Sequence, residues 1–301
     1  MDPDWTFQSG IDPNQGWTIS PDGSMVAFRE FTGEGYDVWV KQLDTGPRSR
    51  LTFGEAHERK PVWATSGRDV TFLSDRGGNL DVWSRPADGT TDSELLLDLD
   101  ASVATVDWNP DGEWLLLRTS TGNLDTSERN ILAWRPDEDS VPAPLFSSPY
   151  RETGPAVSPD GRWLAYASDE TGRYEIYVRP FPDVSAGRWV ASIGGGRNPQ
   201  WAHSGQELFF QGPTQEMMVV DFETTTSEFV AGTPEVLFEA DRSWLVQNLT
   251  GLFYDVAPDD QRFLIAAIVI ATSGSTDDGP PLPSVVLVNN FMEELRQRVG
   301  S

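Results

Sequence analysis

The stretch Ser158-Pro159-Asp160-Gly161-Arg162-Trp163-Leu164-Ala165-Tyr166 predicts a tight turn followed by an apolar strand. Proline sets φ at the second position of a type I turn, Asp bonds its own backbone, and Gly accepts the left-handed conformation that returns the chain as a hairpin. Related stretches give six turns in all, and these are closed by Gly23, Gly67, Gly112, Gly161, Gly205 and Asp260. The intervals of roughly 44 to 55 residues indicate a repeat architecture built from β-hairpins.

Each hairpin is followed by two further strand patterns. An aromatic, alternating third strand is seen at Tyr36 to Leu43 and again at Tyr174 to Arg179, and a short apolar fourth strand follows, as at Glu94 to Leu97. Four strands per repeat at this period are typical of propeller blades. The sequence therefore predicts an all-β fold, a six-bladed β-propeller of four-stranded antiparallel blades. The predicted blades cover residues 17–52, 61–97, 106–146, 155–191, 199–238 and 252–288.

The two ends of the chain complete this prediction. The sixth repeat shows no fourth strand after Val288, whereas the strand-like segment 5–8 precedes the first repeat without a partner. We therefore predict that residues 5–8 close the last blade, within a single domain over residues 1–301. Asn289 or Asn290 followed by Glu293 is typical of a helix start, and the sequence predicts a short C-terminal helix over residues 289–299.

Composition excludes several classes of partner. The net charge of −25 repels phosphate backbones and anionic lipid headgroups, so we expect neither nucleic acid nor a membrane surface as a partner. The chain has no cysteine, which excludes disulfides and thiolate chemistry. No apolar run reaches the roughly 18 residues of a membrane helix, and the first residues lack the features of a signal peptide. We expect no direct membrane insertion, and a signal or anchor would lie outside this sequence.

Two longer runs carry a family likeness. Residues 74–83 (SDRGGNLDVW) and 168–178 (SDETGRYEIYV) resemble the repeats of TolB-like β-propellers. In the second half, residues 177–182 (YVRPFP), 194–201 (GGGRNPQW) and 288–295 (VNNFMEEL) are similar to the C-terminal propeller of bacterial membrane-anchored serine/threonine kinases. The likeness covers nearly the whole chain and is specific for fold rather than for function.

The resemblance implies a sensor or scaffold domain that sits outside the cytoplasm, in the periplasm, as part of a larger or exported protein. The chain has neither the kinase motifs nor the Gly-x-Ser-x-Gly elbow of serine hydrolases. We therefore expect a non-catalytic module, monomeric as a domain, that binds a protein, a peptide or a small molecule. A purely structural spacer remains an alternative.

The candidate binding residues lie in loops expected at one end of the propeller, called here the funnel face. These loops enter the innermost strand of a blade or join its second and third strands. The candidates are His57, Glu58, Arg59, Arg151, Glu152, Arg197, Asn198, Gln247 and Asn248.

Glu58 and Glu152 occupy equivalent positions in two repeats. Their carboxylates could hold a divalent cation in the central channel, although ordinary solvated loop residues would give the same pattern. No other cofactor is predicted. The alternative function is a metal-dependent propeller hydrolase in which such a cation activates water. His203 is predicted to be a plain turn residue at the opposite end from His57, so the two histidines are not expected to share a site.

The recurring acids Asp75 and Asp169 are predicted to be structural. Each precedes an arginine and a third strand at the same place in its repeat. Recurrence favours carboxylates that accept hydrogen bonds from loop backbone N–H groups, or that pair with the neighbouring Arg76 and Arg173.

Overall fold

A computed structural model describes residues 5–8, 16–43, 47–120, 131–146, 148–214, 216–225, 228–239, 254–268 and 283–288. These residues form six antiparallel sheets, each a blade whose strands run outward from the central channel. Blade one contains β2 to β5, which are Trp17–Ile19, Met25–Phe31, Tyr36–Gln42 and Arg48–Arg50. Blade two contains β6 to β9, which are Arg59–Trp63, Asp69–Ser74, Asp81–Pro86 and Glu94–Leu97. Blade three contains β10 to β13, which are Ser102–Trp108, Leu115–Ser120, Ile131–Trp134 and Ala143–Phe146.

The remaining blades follow the same order, with two differences. Blade four contains β14 to β17, which are Glu152–Val157, Trp163–Ser168, Glu175–Pro180 and Trp189–Val190. Blade five contains β18 to β22, which are Arg197–Trp201, Glu207–Gln211, Glu216–Thr224, Phe229–Ala231 and Glu235–Glu239. Its long β20 pairs with both β21 and β22, so this blade has one strand more than predicted. Blade six contains β23 to β25 and β1, which are Tyr254–Val256, Phe263–Ile268, Pro283–Val288 and Trp5–Gln8.

The repeated turns form as the sequence predicts. In blade four the Ser158 hydroxyl donates to the Asp160 carboxylate at 2.6 Å and accepts from the Trp163 backbone N–H at 3.0 Å. Gly161 closes the turn with φ of 73° and donates its N–H to the Ser158 carbonyl. Blade one repeats these bonds with Ser20 and Asp22. The opening motif is therefore a structural element of every blade in which it occurs.

Contacts between successive turns place the six blades in a ring. The turn-closing glycines Gly23, Gly67, Gly112, Gly161 and Gly205 lie against Pro258, Pro21, Thr65, Asp111 and Pro159 of the preceding blade. A Cβ at Gly112 would come within 2.6 Å of the Thr65 hydroxyl, and the positive φ of 78° also favours glycine there. In blade six, Asp260 replaces glycine and accepts the backbone N–H groups of His203 and Ser204 at 2.7 and 2.8 Å.

The hydrophobic core is divided into six clusters, one between each pair of adjacent blades. Alternate residues of one strand enter different clusters because successive side chains point to opposite faces of a sheet. In β11, for example, Leu115 and Leu117 pack toward blade two, whereas Leu116 packs toward blade four. Indole N–H groups add bonds between blades, from Trp63 to the Thr18 carbonyl at 3.1 Å and from Trp201 to the Ala156 carbonyl at 2.9 Å.

The N-terminal strand closes the last blade, as the sequence predicts. β1 pairs antiparallel with β25, from Trp5 opposite Leu287 to Gln8 opposite Ser284. The helix predicted over residues 289–299 lies outside the described residues. For this reason the single domain over residues 1–301 remains a prediction.

The boundaries of the inner strands differ from the prediction. In blades two to five these strands begin two to four residues earlier than predicted, at Arg59, Ser102, Glu152 and Arg197. Each carries a β-bulge near its start, as between Arg59 and Val62. The extra residue interrupts the alternation that the sequence pattern relies on. Several predicted loop residues are consequently strand residues.

Candidate functional site

Backbone hydrogen bonds hold the entry to the inner strands at two candidate residues. The N–H of His57 donates to Oδ1 of Asp75 at 2.8 Å, and the N–H of Arg151 donates to Oδ1 of Asp169 at 2.8 Å. The equal geometry in blades two and four confirms the structural role predicted for these two aspartates. The His57 ring lies 5.9 Å from the Tyr36 ring of blade one.

Glu58 is buried in an ion pair. Its Oε1 accepts from the Arg76 guanidinium at 2.6 Å, with the Glu58 side chain only 1% exposed. Burial raises the pKa of Glu58, against the lowering effect of Ser74 and Arg76, and the charge of Asp37 raises it further. Since Arg76 also stacks over the Trp83 ring at 4.4 Å, Glu58 is fixed within its own blade.

Glu152 is buried at the equivalent position of blade four. Burial raises its pKa to about 7, although a hydrogen bond with Ser148 and the charges of Arg179 and Arg188 act in the opposite direction. Glu58 and Glu152 are thus both buried acids with a raised pKa, but they lie in different, non-adjacent blades. Among the described residues, no group of three or more His, Asp or Glu side chains could hold a metal ion.

The other candidates divide into strand residues and residues that are not described. Arg59 and Arg197 begin β6 and β18, and the Arg197 guanidinium lies 3.9 Å from the centre of the Tyr174 ring. Burial lowers the pKa of Arg197. Asn198 has φ of 52° and accepts the Tyr254 hydroxyl with its carbonyl at 2.8 Å. Gln247 and Asn248 lie outside the described residues.

The central channel is a cavity of about 210 Å³ to which all six inner strands contribute. Two layers of side chains line it. Counted back from the turn-closing residue of each blade, the upper layer lies seven positions earlier and contains Lys60, Thr105 and Asn198. The lower layer lies five positions earlier and contains Thr18, Asp107, Gln200 and Asp255. Arg118, opposite Thr105 in the strand pairing, and His203 at the base also line the cavity.

Two carboxylates face the lower channel. Burial, together with the negative charge of Asp255, raises the pKa of Asp107 to about 7, and the Trp108 backbone N–H lowers it. Burial also raises the pKa of Asp255, whereas the Ile19 N–H and the charge of His203 lower it. These two acids retain access to solvent through the channel, yet protein surrounds them on every side, so ionising both is costly.

Sequence reasoning did not find the channel acids. Asp107 and Asp255 each lie five positions before the turn-closing residue of their repeat. Aligning the repeats would therefore have shown that the two acids are equivalent. The repeat supplies the position, but only the ring geometry shows that this position faces the channel in every blade. His203, predicted to be a plain turn residue, lines the cavity, and its Nε2 lies 3.1 Å from the Val256 carbonyl.

Exposed apolar side chains occur on the funnel face and on the outer strands of the blades. Of the nine large hydrophobic residues exposed in the described chain, four lie in funnel-face loops or at their edges, namely Phe31 (50% exposed), Phe53 (64%), Tyr150 (42%) and Ile193 (71%). Val141 is the one that lies in a loop at the opposite end. Arg50 and Arg85 both stack against Phe53, with guanidinium carbons 4.9 and 5.8 Å from the ring centre.

The fold and the channel define the chain as a six-bladed β-propeller. The structure is similar to TolB from Acinetobacter baumannii, with a TM-score of 0.63 and 14% identity over 90% of this chain and 65% of that one. It is also similar to an oligogalacturonate lyase solved in complex with manganese, with a TM-score of 0.62 and 12% identity over 95% of this chain and 91% of that one. At these identities the likeness shows the fold alone.

Sequence comparison finds relatives that match only part of the chain. No protein-family profile matches the chain. It is 24% identical, over 209 residues and 53% of its length, to the uncharacterized peptidase YuxL of Bacillus subtilis. The chain spans about a third of the length of the curated relatives it matches, with coverage of 31% and 30% of them. In the part of the chain that the structure describes, no helix is long and apolar enough to cross a membrane.

Proposed function

We propose that the chain is a non-catalytic binding module that engages a protein or peptide through its funnel face. The observation that carries the proposal is the placement of Phe31, Phe53, Tyr150 and Ile193, which expose apolar surface at one end of the propeller. Exposed aromatic residues beside arginines are the composition expected at the centre of a protein interface. The chain has a net charge of −25, and this apolar surface can bury against a partner without desolvating carboxylates.

The setting of the module belongs to the same proposal. The likeness of residues 177–182 and 194–201 to kinase-linked propellers supports a sensor or scaffold domain of a larger or exported protein that works outside the cytoplasm. The TolB-like fold is compatible with this setting. The binding partner would approach the funnel end of the propeller, because the apolar residues lie in loops at that end or at their edges.

The test compares two variants that remove apolar surface from opposite ends. The double variant Phe31→Ser with Phe53→Ser changes the funnel face, and Val141→Ser changes the other end. Binding of extracytoplasmic proteins from the native host would be quantified against wild type by affinity capture and then by calorimetry with the purified partner. We expect stoichiometric binding that the double variant loses by about tenfold or more and that Val141→Ser retains.

Two results would contradict the proposal. Equal binding by all three proteins would place the interface elsewhere. Stoichiometric metal in the purified chain, together with chelator-sensitive turnover of ester or glycoside substrates, would instead favour a metal-dependent hydrolase.

A further inference from the structure

The charges of the channel are separated along its axis. Lys60 lies in the upper layer and Arg118 in the wall beside it, whereas Asp107 and Asp255 lie in the lower layer. Two residues along a strand span about 7 Å, which is the backbone spacing between the two layers. The channel therefore presents cationic groups at one level and a pair of carboxylates at the next.

The carboxylate pair favours a cation between its members. Asp255 already receives the Ile19 N–H on Oδ2 at 2.6 Å and the Val256 N–H on Oδ1 at 3.0 Å, so its position is fixed. Asp107 lines the same cavity from blade three, where the negative charge of Asp255 raises its pKa and the Trp108 backbone N–H lowers it. Like charges in a protein-enclosed space are relieved either by a shared proton or by a bound cation. An ammonium group supplies three N–H donors and a full charge at such a position.

The cationic level is also fixed in place. Lys60 is buried at the β-bulge of β6 with φ of 50°, and Gly16 of blade one leaves the space that its side chain occupies. Arg118 is buried on β11 and makes further interactions within the protein. A non-glycine residue held in the left-handed region is strained, and such strain is concentrated at functional positions. Lys60 also makes further interactions within the protein. Because an ammonium group has three N–H donors, a ligand carboxylate would accept an additional charge-assisted hydrogen bond from it.

We propose that the central channel binds a small linear zwitterion, with its ammonium group between Asp107 and Asp255 and its carboxylate toward Lys60 and Arg118. The cavity of about 210 Å³ is smaller than the roughly 300 to 1,000 Å³ of pockets for drug-sized ligands, so the occupant is small. This site is separate from the funnel-face surface proposed above and does not depend on it.

The experiment measures binding of γ-aminobutyrate by calorimetry at pH 8, with glycine as a shorter zwitterion. The ligands n-butylamine and butyrate each carry one of its two charged ends. We expect γ-aminobutyrate to bind about tenfold tighter than either one-ended compound, because only it satisfies both levels. We expect glycine to bind more weakly than γ-aminobutyrate, because its ammonium and carboxylate groups are too close together to reach both layers. Capture of a protein partner by the funnel face is measured on the same protein sample. Because the two assays are separate, a negative result in one does not count against the proposal tested by the other.

Three variants assign the binding to the channel. Asp107→Asn keeps the side-chain volume and removes repulsion, so it is expected to fold while losing affinity for γ-aminobutyrate by about tenfold or more. Lys60→Gln should weaken γ-aminobutyrate but leave n-butylamine unchanged. Asp92→Asn, which makes the same charge change in an exposed loop of blade two, should alter neither.

The pH dependence supplies an independent readout. The ammonium site needs Asp107 ionised, so affinity should rise as pH passes through about 7, the raised pKa of that carboxyl group. The other titratable or charged groups in the cavity wall are Asp255, His203, Lys60 and Arg118. Absence of binding by any probe at pH 8 would overturn the proposal, as would equal binding by wild type and Asp107→Asn. If n-butylamine bound as tightly as γ-aminobutyrate, the zwitterion assignment would be wrong.

Discussion

The backbone N–H of Ile19 donates to Oδ2 of Asp255 across 2.6 Å, and this bond joins the inner strand of the first blade to that of the last. The same two blades are neighbours in the buried cluster that contains Trp17, Phe28 and Leu264. At the outer edge of blade six, β1 pairs with β25. Blades one and six are therefore joined by the bond to the Asp255 side chain and by a shared hydrophobic cluster. The N-terminal strand adds main-chain pairing at the outer edge of blade six.

Deleting residues 1–10 should destabilise the protein by about 3 kcal/mol or more, because β25 loses the backbone partners that β1 provides over four residues. The measurement is urea unfolding followed by tryptophan fluorescence. Deleting residues 2–4 alone, which precede β1, is the control and should change little. An unchanged midpoint for the longer deletion would show that the closing strand contributes no stability.

Asp107→Asn should change how stability depends on pH. The folded-state pKa of about 7 lies above the ordinary value of 3.8, so between these values the folded state holds the proton more tightly than the unfolded state. Stability from this group is therefore present at low pH and is lost as pH rises toward and through 7. The variant should be more stable than wild type at pH 8, by on the order of 2 kcal/mol, and close to it at pH 4.

Glu152 contributes a slope of the same sign in the same pH window, because its pKa is also raised to about 7. The informative quantity is consequently the difference between wild type and Asp107→Asn at each pH, measured by chemical unfolding. A difference that stays constant from pH 4 to pH 8 would contradict the effect assigned to Asp107.

Asp260→Gly should destabilise the protein although glycine closes the other five turns. Glycine would relieve the left-handed conformation at this position, where φ is 56°. It would also remove the acceptors for the N–H groups of His203 and Ser204. Two charge-assisted bonds outweigh the backbone relief, so we expect a net loss of about 1 kcal/mol.

The matched variant is Asp260→Asn, which tolerates the left-handed conformation and keeps one carbonyl acceptor. Its melting temperature should lie between those of wild type and Asp260→Gly. A glycine variant more stable than wild type would mean that the contact between the two turns contributes less than the backbone strain costs.

Arg76→Met should cost about 3 kcal/mol at pH 8, because it leaves the buried Glu58 carboxylate without its cation. The cost should be smaller at pH 5. There Glu58, whose pKa is already raised by burial, can take up a proton when Arg76 is absent. The double variant Arg76→Met with Glu58→Leu should recover most of the loss at pH 8, which a double-mutant cycle would measure.

Most of the fold could be predicted from the sequence, because the information needed is local. The Ser-Pro-Asp-Gly turn, the strand after it and the period between copies depend on residues close together in the chain. The strand order, the six blades and the closure by residues 5–8 were confirmed. In blades two to five the starts of the inner strands were wrong by two to four residues, since the β-bulge near Lys60 and its equivalents is not marked by any residue type that the repeats share.

The candidate site was less predictable. Glu58 and Glu152 stood out as acids in entry loops, yet both are buried, Glu58 in an ion pair with Arg76 and Glu152 near the charges of Arg179 and Arg188. Asp107 and Asp255 are separated by 148 positions in the chain (255 minus 107) and belong to blades three and six. Their mutual repulsion exists only because both inner strands border the same channel.

The sequence by itself determined the repeating blade, because turn geometry and strand alternation are set by neighbours a few residues apart. Only the tertiary structure decided which carboxylates are neutralised within a blade and which face the channel. Burial and Coulomb interactions act through space between residues of different blades, and closing the ring brings those residues together. The Ser158 turn therefore specifies how a blade begins, whereas the chemistry of the channel depends on where the six blades meet.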